Sequence, residues 1–275
     1  MIYLLSGQGR RALRALTNQP ILYAFDFDGT LAPIHSDRAA AKMARSVGEW
    51  LKELARRAPC AVVSGRELGD VSIKVAGTVP YVLGNHGIES ALTPKPLLQW
   101  AEEVCSKWKM ELADGMAGSI ERLGVEIEGK RYTMTFHFRN VEEPARVKSA
   151  LMLLIEGLSP APRLIVGKSS INAVPPGEHG KGKAVERLMN HLKRTGVLFI
   201  GDDETDEDVF ALPGGVVMGV RIGPHSKSNA QFFLKSQDEV EQVIRFLVHR
   251  LDRTPESADE DGEGKSATRH AANDC

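Results

Sequence analysis

The chain has 275 residues, 42% of them hydrophobic, and 35 Lys and Arg stand against 36 Asp and Glu for a formal net charge of −1. It is long enough to bury a full core in one large domain or two modest ones, and its balanced charge argues against nucleic acid or an anionic membrane surface as a partner. Three scattered cysteines, Cys60, Cys105 and Cys275, indicate neither a disulfide framework nor a zinc site, and no apolar run approaches membrane-spanning length.

The N-terminal apolar run, residues 2–5, is followed by Arg10, Arg11 and Arg14 and is too short for the hydrophobic stretch of a secretory signal, so a reducing, cytoplasmic setting is expected. Gly7-Gln8-Gly9-Arg10-Arg11-Ala12 matches the dinucleotide pattern G-x-G-x-x-A, and Asp26 falls near the spacing of a ribose-binding acid. The strand before it is very short, however, and the pattern leaves Asp28, Gly29 and Thr30 without a role; residues 9–17 read better as a helix leading into the first strand. Residues 22–30 are an apolar run ending in Asp26 and Asp28 ahead of Gly29, which predicts a buried strand that carries two carboxylates to the C-terminal edge of a parallel sheet. Two like charges one residue apart call for a cation or a phosphate partner. The same nine residues fit a strand closed by an Asx-type turn equally well.

Apolar positions from Ala41 to Ala55 recur at helical spacing within residues 38–57, predicting an amphipathic crossover helix that stops before Pro59. Residues 60–63 and 81–83 are short strands closing on Ser64-Gly65-Arg66 and Gly84-Asn85-His86-Gly87. Three strands with polar, Gly-rich C-terminal ends predict an α/β fold with an open parallel Rossmann-like sheet. The rhythm then changes. Residues 94–116 form a helix pattern with Trp100, Val104, Trp108 and Leu112 on one face; residues 125–127 and 132–138 flank a hairpin turn at Glu128-Gly129-Lys130. A helix over residues 142–156 and a strand pair, 164–166 and 171–174, around Gly167-Lys168-Ser169 complete an inserted α+β cap domain. The expected division is a core of residues 1–87 and 177–252, with the cap over residues 88–176 and a return hinge at Pro175-Pro176-Gly177. Residues 181–192 are a helix, 197–200 a buried strand ending in an acidic run, 216–220 and 232–234 further strands, and 240–251 a closing helix. Residues 253–275, poor in apolar and rich in acidic and small residues, read as a disordered tail.

The acidic run, residues 201–208, is not a calcium loop, because its sixth position is Glu207 where glycine is required and its twelfth is Pro213 where a bidentate Glu is required. Acids favour a helix's first turn, so the run alone also fits a solvated helix start. Beside Asp26, Asp28, Ser64 and Lys181 it completes a set of paired carboxylates, a hydroxyl and one cation, which is what magnesium-dependent phosphoryl transfer through an acyl phosphate needs.

Four motifs in order, Asp26-Phe27-Asp28-Gly29-Thr30, Ser64, Lys181 and Gly201-Asp202-Asp203 with Asp206, resemble the phosphatases of the haloacid dehalogenase superfamily. The large insert between the second and third motifs is similar to the subgroup with an α+β cap there. Ser64-Gly65-Arg66, the stretch from Gly84 to Glu89, and the run from Gly201 to Phe210 resemble the trehalose-6-phosphate phosphatases. The resemblance covers roughly residues 20–250 and implies residue roles. Asp26 is the nucleophile and Asp28 the general acid and base; Ser64 and Lys181 bind the phosphoryl group. Mg2+ is held by Asp26, the backbone carbonyl of Asp28 and Asp202, supported by Asp203 or Asp206. Arg66, Asn85, His86, Glu89, Arg139, Lys168 and Asn172 are the expected sugar contacts; for His86, Arg139 and Lys168 a capping or surface role is the competing reading. Members of the trehalose group usually carry a Glu just before the hinge, where this chain has Asn172. Asn can hydrogen-bond a hydroxyl without a carboxylate's charge, which leaves mannosyl-3-phosphoglycerate or sucrose 6-phosphate as rival substrates and a sugar-phosphate sensor as the rival outside catalysis. The expected partner is a small-molecule sugar phosphate, acted on by a monomer.

Overall fold

A computed structural model describes residues 1–252 apart from Ser36, Lys168 and Glu178; the tail expected over residues 253–275 lies outside the described residues. The first segment runs β1 (Ile2–Tyr3), α1 (Gly7–Leu16), β2 (Ile21–Phe25), α2 (Arg45–Ala55), β3 (Cys60–Val63), α3 (Leu68–Val75) and β4 (Tyr81–Leu83). After the insert the chain returns through α7 (Lys181–His191), β9 (Gly196–Gly201), a short helical stretch α8 (Glu207–Phe210), β10 (Val217–Ile222), β11 (Phe232–Leu234) and α9 (Glu239–Leu251). These strands form one parallel sheet in the order β1-β11-β10-β9-β2-β3-β4. The order reverses at β2, which lies between β9 and β3, and a crevice at such a switch point is where open α/β sheets bind ligands.

All five residues of β2 are buried, and the side chains alternate between two cores, as a strand covered on both faces requires. Ile21, Tyr23 and Phe25 join Leu13, Leu51, Leu54 and Ile244 on one face; Leu22 and Ala24 join Ala184, Leu188 and Phe199 on the other. The second glycine of the N-terminal pair serves packing. A Cβ on Gly9 would lie 2.1 Å from the Leu4 carbonyl oxygen, so glycine lets α1 close onto the edge strand β1.

The insert comprises α4 (Lys95–Glu111), a wider π-helical turn (Leu112–Met116), α5 (Ala117–Arg122), β5 (Glu126–Gly129), β6 (Met134–His137), α6 (Pro144–Glu156), β7 (Arg163–Val166) and β8 (Ser170–Val174). Its antiparallel sheet, in the order β5-β6-β8-β7, packs Met134, Phe136 and Ile171 against Trp108, Leu151 and Ile155.

Two expectations are corrected. The helix read over residues 38–57 begins only at Arg45, because the preceding backbone is held by other elements: Arg66 donates to the Arg38 carbonyl at 2.8 Å and Lys74 to the carbonyls of Ala39 and Ala41. Trp100 does not join the buried stripe of α4; its ring meets His179 edge-on, with centroids 5.7 Å apart.

Candidate active site

Asp26 follows β2 directly and donates its backbone N–H to the Ile200 carbonyl at 2.9 Å, which fastens it to the end of β9. Its carboxylate, 5% exposed, accepts a 2.8 Å hydrogen bond from Lys181 Nζ, and the same ammonium donates to Asp206 at 2.7 Å. Lys181, the first residue of α7, is 2% exposed. Burial pushes the Asp26 carboxyl well above the usual carboxylate range against the pull of Lys181, and Asp206 and Asp202 add to the rise. Burial by itself would lower the Lys181 ammonium, but Asp206 and Asp26 hold it above the ordinary lysine value.

Asp206 is fully buried. One carboxylate oxygen serves Lys181 and the other accepts the backbone N–H groups of Asp202 and Asp203 at 2.9 and 3.0 Å. The Asp203 side chain in turn accepts the Asp206 N–H, a reciprocal cap on the short helical turn Glu204–Asp206. Gly29 has φ of 79°, and a Cβ there would lie 2.2 Å from the Asp202 carboxylate; only glycine lets the two motif loops meet.

Among the described residues, ligand atoms of Asp26, Asp202 and Asp206 lie within 4.8 Å of one another. An all-carboxylate donor set facing a single lysine suits a hard divalent cation such as magnesium. Asp26 and Asp202 would hold it, since Asp206 is committed to Lys181 and two backbone donors. The side chains of Asp28 and Asp203 stand outside this group: Asp203 caps its own turn, and Asp28 is held elsewhere.

Asp28 forms a two-pronged pair with Arg66, at 2.7 Å from Nε and 2.6 Å from Nη2. Arg66 follows Ser64, whose buried hydroxyl accepts the Arg66 backbone N–H at 3.1 Å. The register Phe25↔Val62 sets Ser64 beside the Asp26-Phe27 end of β2. The next loop is tied to the same segment, with Asn85 N–H donating to the Arg66 carbonyl and His86 N–H to the Ser64 carbonyl. Asn85 and His86 both hold left-handed backbone, φ 47° and 56°, an uncommon conformation for non-glycine residues that concentrates at functional sites.

The expected sugar contacts divide. Asn85 and Glu89 bond each other at 2.8 Å, Glu89 also accepts the Leu68 N–H, and Thr133 of the cap donates to Asn85. His86 is 4% exposed, and neither ring nitrogen has a hydrogen-bond partner among the described residues. Burial, then Lys130 and Lys181, holds its pKa well below the ordinary value, so the ring is neutral. Asn172 lies near enough to oppose this shift, although it falls short of a hydrogen bond to the ring; its oxygen accepts from Thr135 at 2.9 Å. Arg139 is exposed beyond the end of β6, and Lys168 lies outside the described residues.

The cap contributes groups that sequence reading missed. Lys130, 3% exposed, reaches down to the Gly65 carbonyl at 2.8 Å, and burial lowers its pKa to about 8. Glu128 pairs with Arg38 and accepts a hydrogen bond from His137 Nε2 at 2.9 Å; burial would raise its carboxyl, but His137, Lys130 and Arg38 bring it down to about 2. In the sequence Lys130 is an ordinary hairpin-turn lysine, and the signal that separates it from a surface one, burial beneath the cap, is tertiary. Arg221 also escaped notice: it ties the acidic loop by donating to the Asp203 carbonyl, Glu204 and Glu207.

A family model described as trehalose-phosphatase matches residues 24–254. A trehalose-phosphate phosphatase of Mycobacterium avium is 35% identical over 246 residues, which make up 83% of this chain and 62% of that relative. The chain thus spans under two thirds of that relative's length. Among solved structures, the C-terminal domain of C. albicans trehalose-6-phosphate phosphatase matches with a TM-score of 0.69 at 22% identity, over 87% of this chain and 96% of that one. A haloacid dehalogenase subclass IIB sugar phosphatase matches with a TM-score of 0.56 at 14% identity, over 83% of this chain and 99% of that one. At such identities these two likenesses speak for the fold.

Proposed function

The chain belongs to the trehalose-phosphatase family, and from that premise we propose that it is a phosphoric monoester hydrolase that removes phosphate from trehalose 6-phosphate by way of an aspartyl phosphate on Asp26. The observation that carries this reading is the buried Asp26–Lys181–Asp206 constellation, at 2.8 and 2.7 Å, on the switch-point edge of the sheet. A carboxylate attacking phosphorus needs a fixed cation to offset the charge gathering on the phosphoryl oxygens, and Lys181 is already oriented there. Ser64 supplies a hydroxyl beside it. Asp28 protonates the departing sugar oxygen, then takes a proton from the water that releases phosphate from Asp26. Magnesium held by Asp26 and Asp202 would neutralise phosphoryl charge and orient the ester.

Lys130, the neutral His86 ring and Asn172 form the face that would read the sugar, and closure of the cap over them would keep water from the phospho-enzyme. Asn172 gives its oxygen to Thr135 and keeps its N–H donors for another partner; a donor in place of a carboxylate, acting with Lys130 on the same His86 ring, favours as a second reading a sugar phosphate richer in acidic oxygens, such as mannosyl-3-phosphoglycerate. The test is phosphate release from trehalose 6-phosphate, sucrose 6-phosphate, mannosyl-3-phosphoglycerate and p-nitrophenyl phosphate, with magnesium and with a chelator, against Asp26→Asn. Magnesium-dependent preference for trehalose 6-phosphate, abolished in Asp26→Asn, is expected. Parent-level activity in Asp26→Asn would overturn the nucleophile assignment, and absence of turnover on every ester would leave a sensor.

A further inference from the structure

We infer that Arg66 is a positioning residue for Asp28 and not a sugar contact. The inference rests on the phosphatase reading above but not on which sugar is cleaved. Each nitrogen of the guanidinium is committed: Nε and Nη2 grip the two Asp28 oxygens at 2.7 and 2.6 Å, Nη1 donates to Asp70 at 2.7 Å, and Nη2 also donates to the Arg38 carbonyl at 2.8 Å. The side chain is 5% exposed and its charge lies over the Phe27 ring at 5.6 Å. Four of its five N–H groups are taken and the fifth, on Nη1, lies in a side chain only 5% exposed, so the group acts on ligands through Asp28. A planar fork holding a carboxylate by both oxygens fixes direction as well as charge, which a lysine's point charge does not.

The consequence of this hold is separation. Asp26, Asp202 and Asp206 converge within 4.8 Å, and a freely swinging Asp28 carboxylate two residues from Asp26 would add a further negative charge to that cluster or capture its cation. Arg66 keeps it apart. The brace extends to the cap, because Arg38, whose carbonyl steadies Arg66, pairs through its own guanidinium with Glu128 of β5.

Bond changes balance as follows. As the bond from Asp26 oxygen to phosphorus forms and the sugar oxygen–phosphorus bond breaks, the Asp28 carboxyl proton passes to the sugar oxygen, and Arg66 receives the resulting carboxylate. In the second step that carboxylate takes a proton from water while the water oxygen bonds phosphorus and the Asp26–phosphorus bond breaks. Losing the fork therefore harms leaving-group protonation and water activation but spares attack by Asp26 on an ester whose leaving group departs without a proton.

The experiment compares Arg66→Gln and Arg66→Lys with the parent enzyme in rapid-mixing assays on the preferred sugar phosphate and on p-nitrophenyl phosphate, with melting temperatures as a folding control. In Arg66→Gln, kcat on the sugar phosphate is expected to fall about 10²-fold, the scale of general acid–base catalysis. From p-nitrophenyl phosphate the variant should still release close to one p-nitrophenol per enzyme at the parent's rate before a slow steady phase. Asp70→Asn, which frees one edge of the guanidinium, should show the same split at smaller amplitude and serves if the Gln variant is unfolded. A rise in KM for the sugar phosphate at unchanged kcat would make Arg66 a substrate contact and overturn the inference, as would loss of both activities together or of neither. Failure of the phosphatase reading is distinguishable, because the parent enzyme itself would then give no p-nitrophenol.

Discussion

Lys181 and Lys130 are two buried lysines held in opposite ways. Lys181 sits between two carboxylates and stays charged; replacing Lys181 itself would leave both buried carboxylates uncompensated, a loss of about 3–5 kcal/mol. Lys130 donates to a backbone carbonyl and has the Glu128 carboxylate 3.9 Å away, too little to offset burial, and its pKa comes down to about 8. A lysine depressed in this way loses its proton as pH rises through about 8, while the unfolded chain keeps it up to the ordinary lysine value. The penalty for housing the cation is therefore present in full at lower pH and is lifted between those two values. If Lys130 reads the sugar phosphate, KM should climb as pH rises past about 8, with kcat nearly flat. Lys130→Arg should remove that limb and Lys130→Met should give the high KM at every pH; a KM profile unchanged in Lys130→Met would assign the residue to packing.

At the scale of elements, the catalytic edge depends on loops brought closer together than side chains normally allow. Gly29 shows this most directly. Alanine there must adopt left-handed backbone, an expense of about 1–2 kcal/mol, and its Cβ would displace the Asp202 carboxylate from 2.2 Å. Gly9→Ala offers a contrast, since its clash is with the Leu4 carbonyl, under an edge strand remote from the catalytic edge. Denaturant titration should find both variants destabilised, while kcat per folded molecule collapses only in Gly29→Ala, together with protection against unfolding by magnesium. Equal kcat losses in the two would show that Gly29 matters only for folding. The segment ahead of α2 teaches the complementary lesson: its apolar spacing is helical, yet its carbonyls are claimed by Arg66 and Lys74, and tertiary hydrogen bonds outweigh propensities worth tenths of a kcal/mol per residue.

Across the molecule as a whole, several polar contacts among the described residues join cap and core. Thr133 bonds Asn85, the Arg131 backbone bonds Glu67, Lys130 bonds Gly65, and Arg163 pairs with Asp208 at 3.1 Å beside the return hinge. Contacts of this kind make and break at modest cost, which would suit the opening and closing that the proposed function asks of the insert. Arg163→Met should loosen the closed arrangement: KM for sugar phosphates is expected to rise severalfold, hydrogen exchange across β7 and β8 to quicken, and hydrolysis of p-nitrophenyl phosphate, which needs little of the cap, to change least. An equal loss on both esters would place the pair in the catalytic edge instead. No helix among the described residues is long and apolar enough to cross a membrane.

What the sequence determined by itself was the order of elements and the placing of chemistry on them. The unbroken burial of residues 21–25 and the polar ends after residues 25, 63, 83 and 201 follow from local pattern, because an apolar run of strand length and a turn's residues are set within a few positions. The motif residues Asp26, Lys181 and Asp206 were legible for the same reason, and they meet in the structure. What only the tertiary structure decided is which polar side chains are answered by others. Arg66, expected as a sugar contact, is engaged by Asp28, Asp70 and the Arg38 carbonyl; Lys130, unremarkable in a hairpin turn, becomes a buried cation that reaches the Gly65 carbonyl. Asp70 apart, these partners lie between 28 and 65 residues away, and a side chain's burial and charge state are fixed by such distant partners, which no local spacing records.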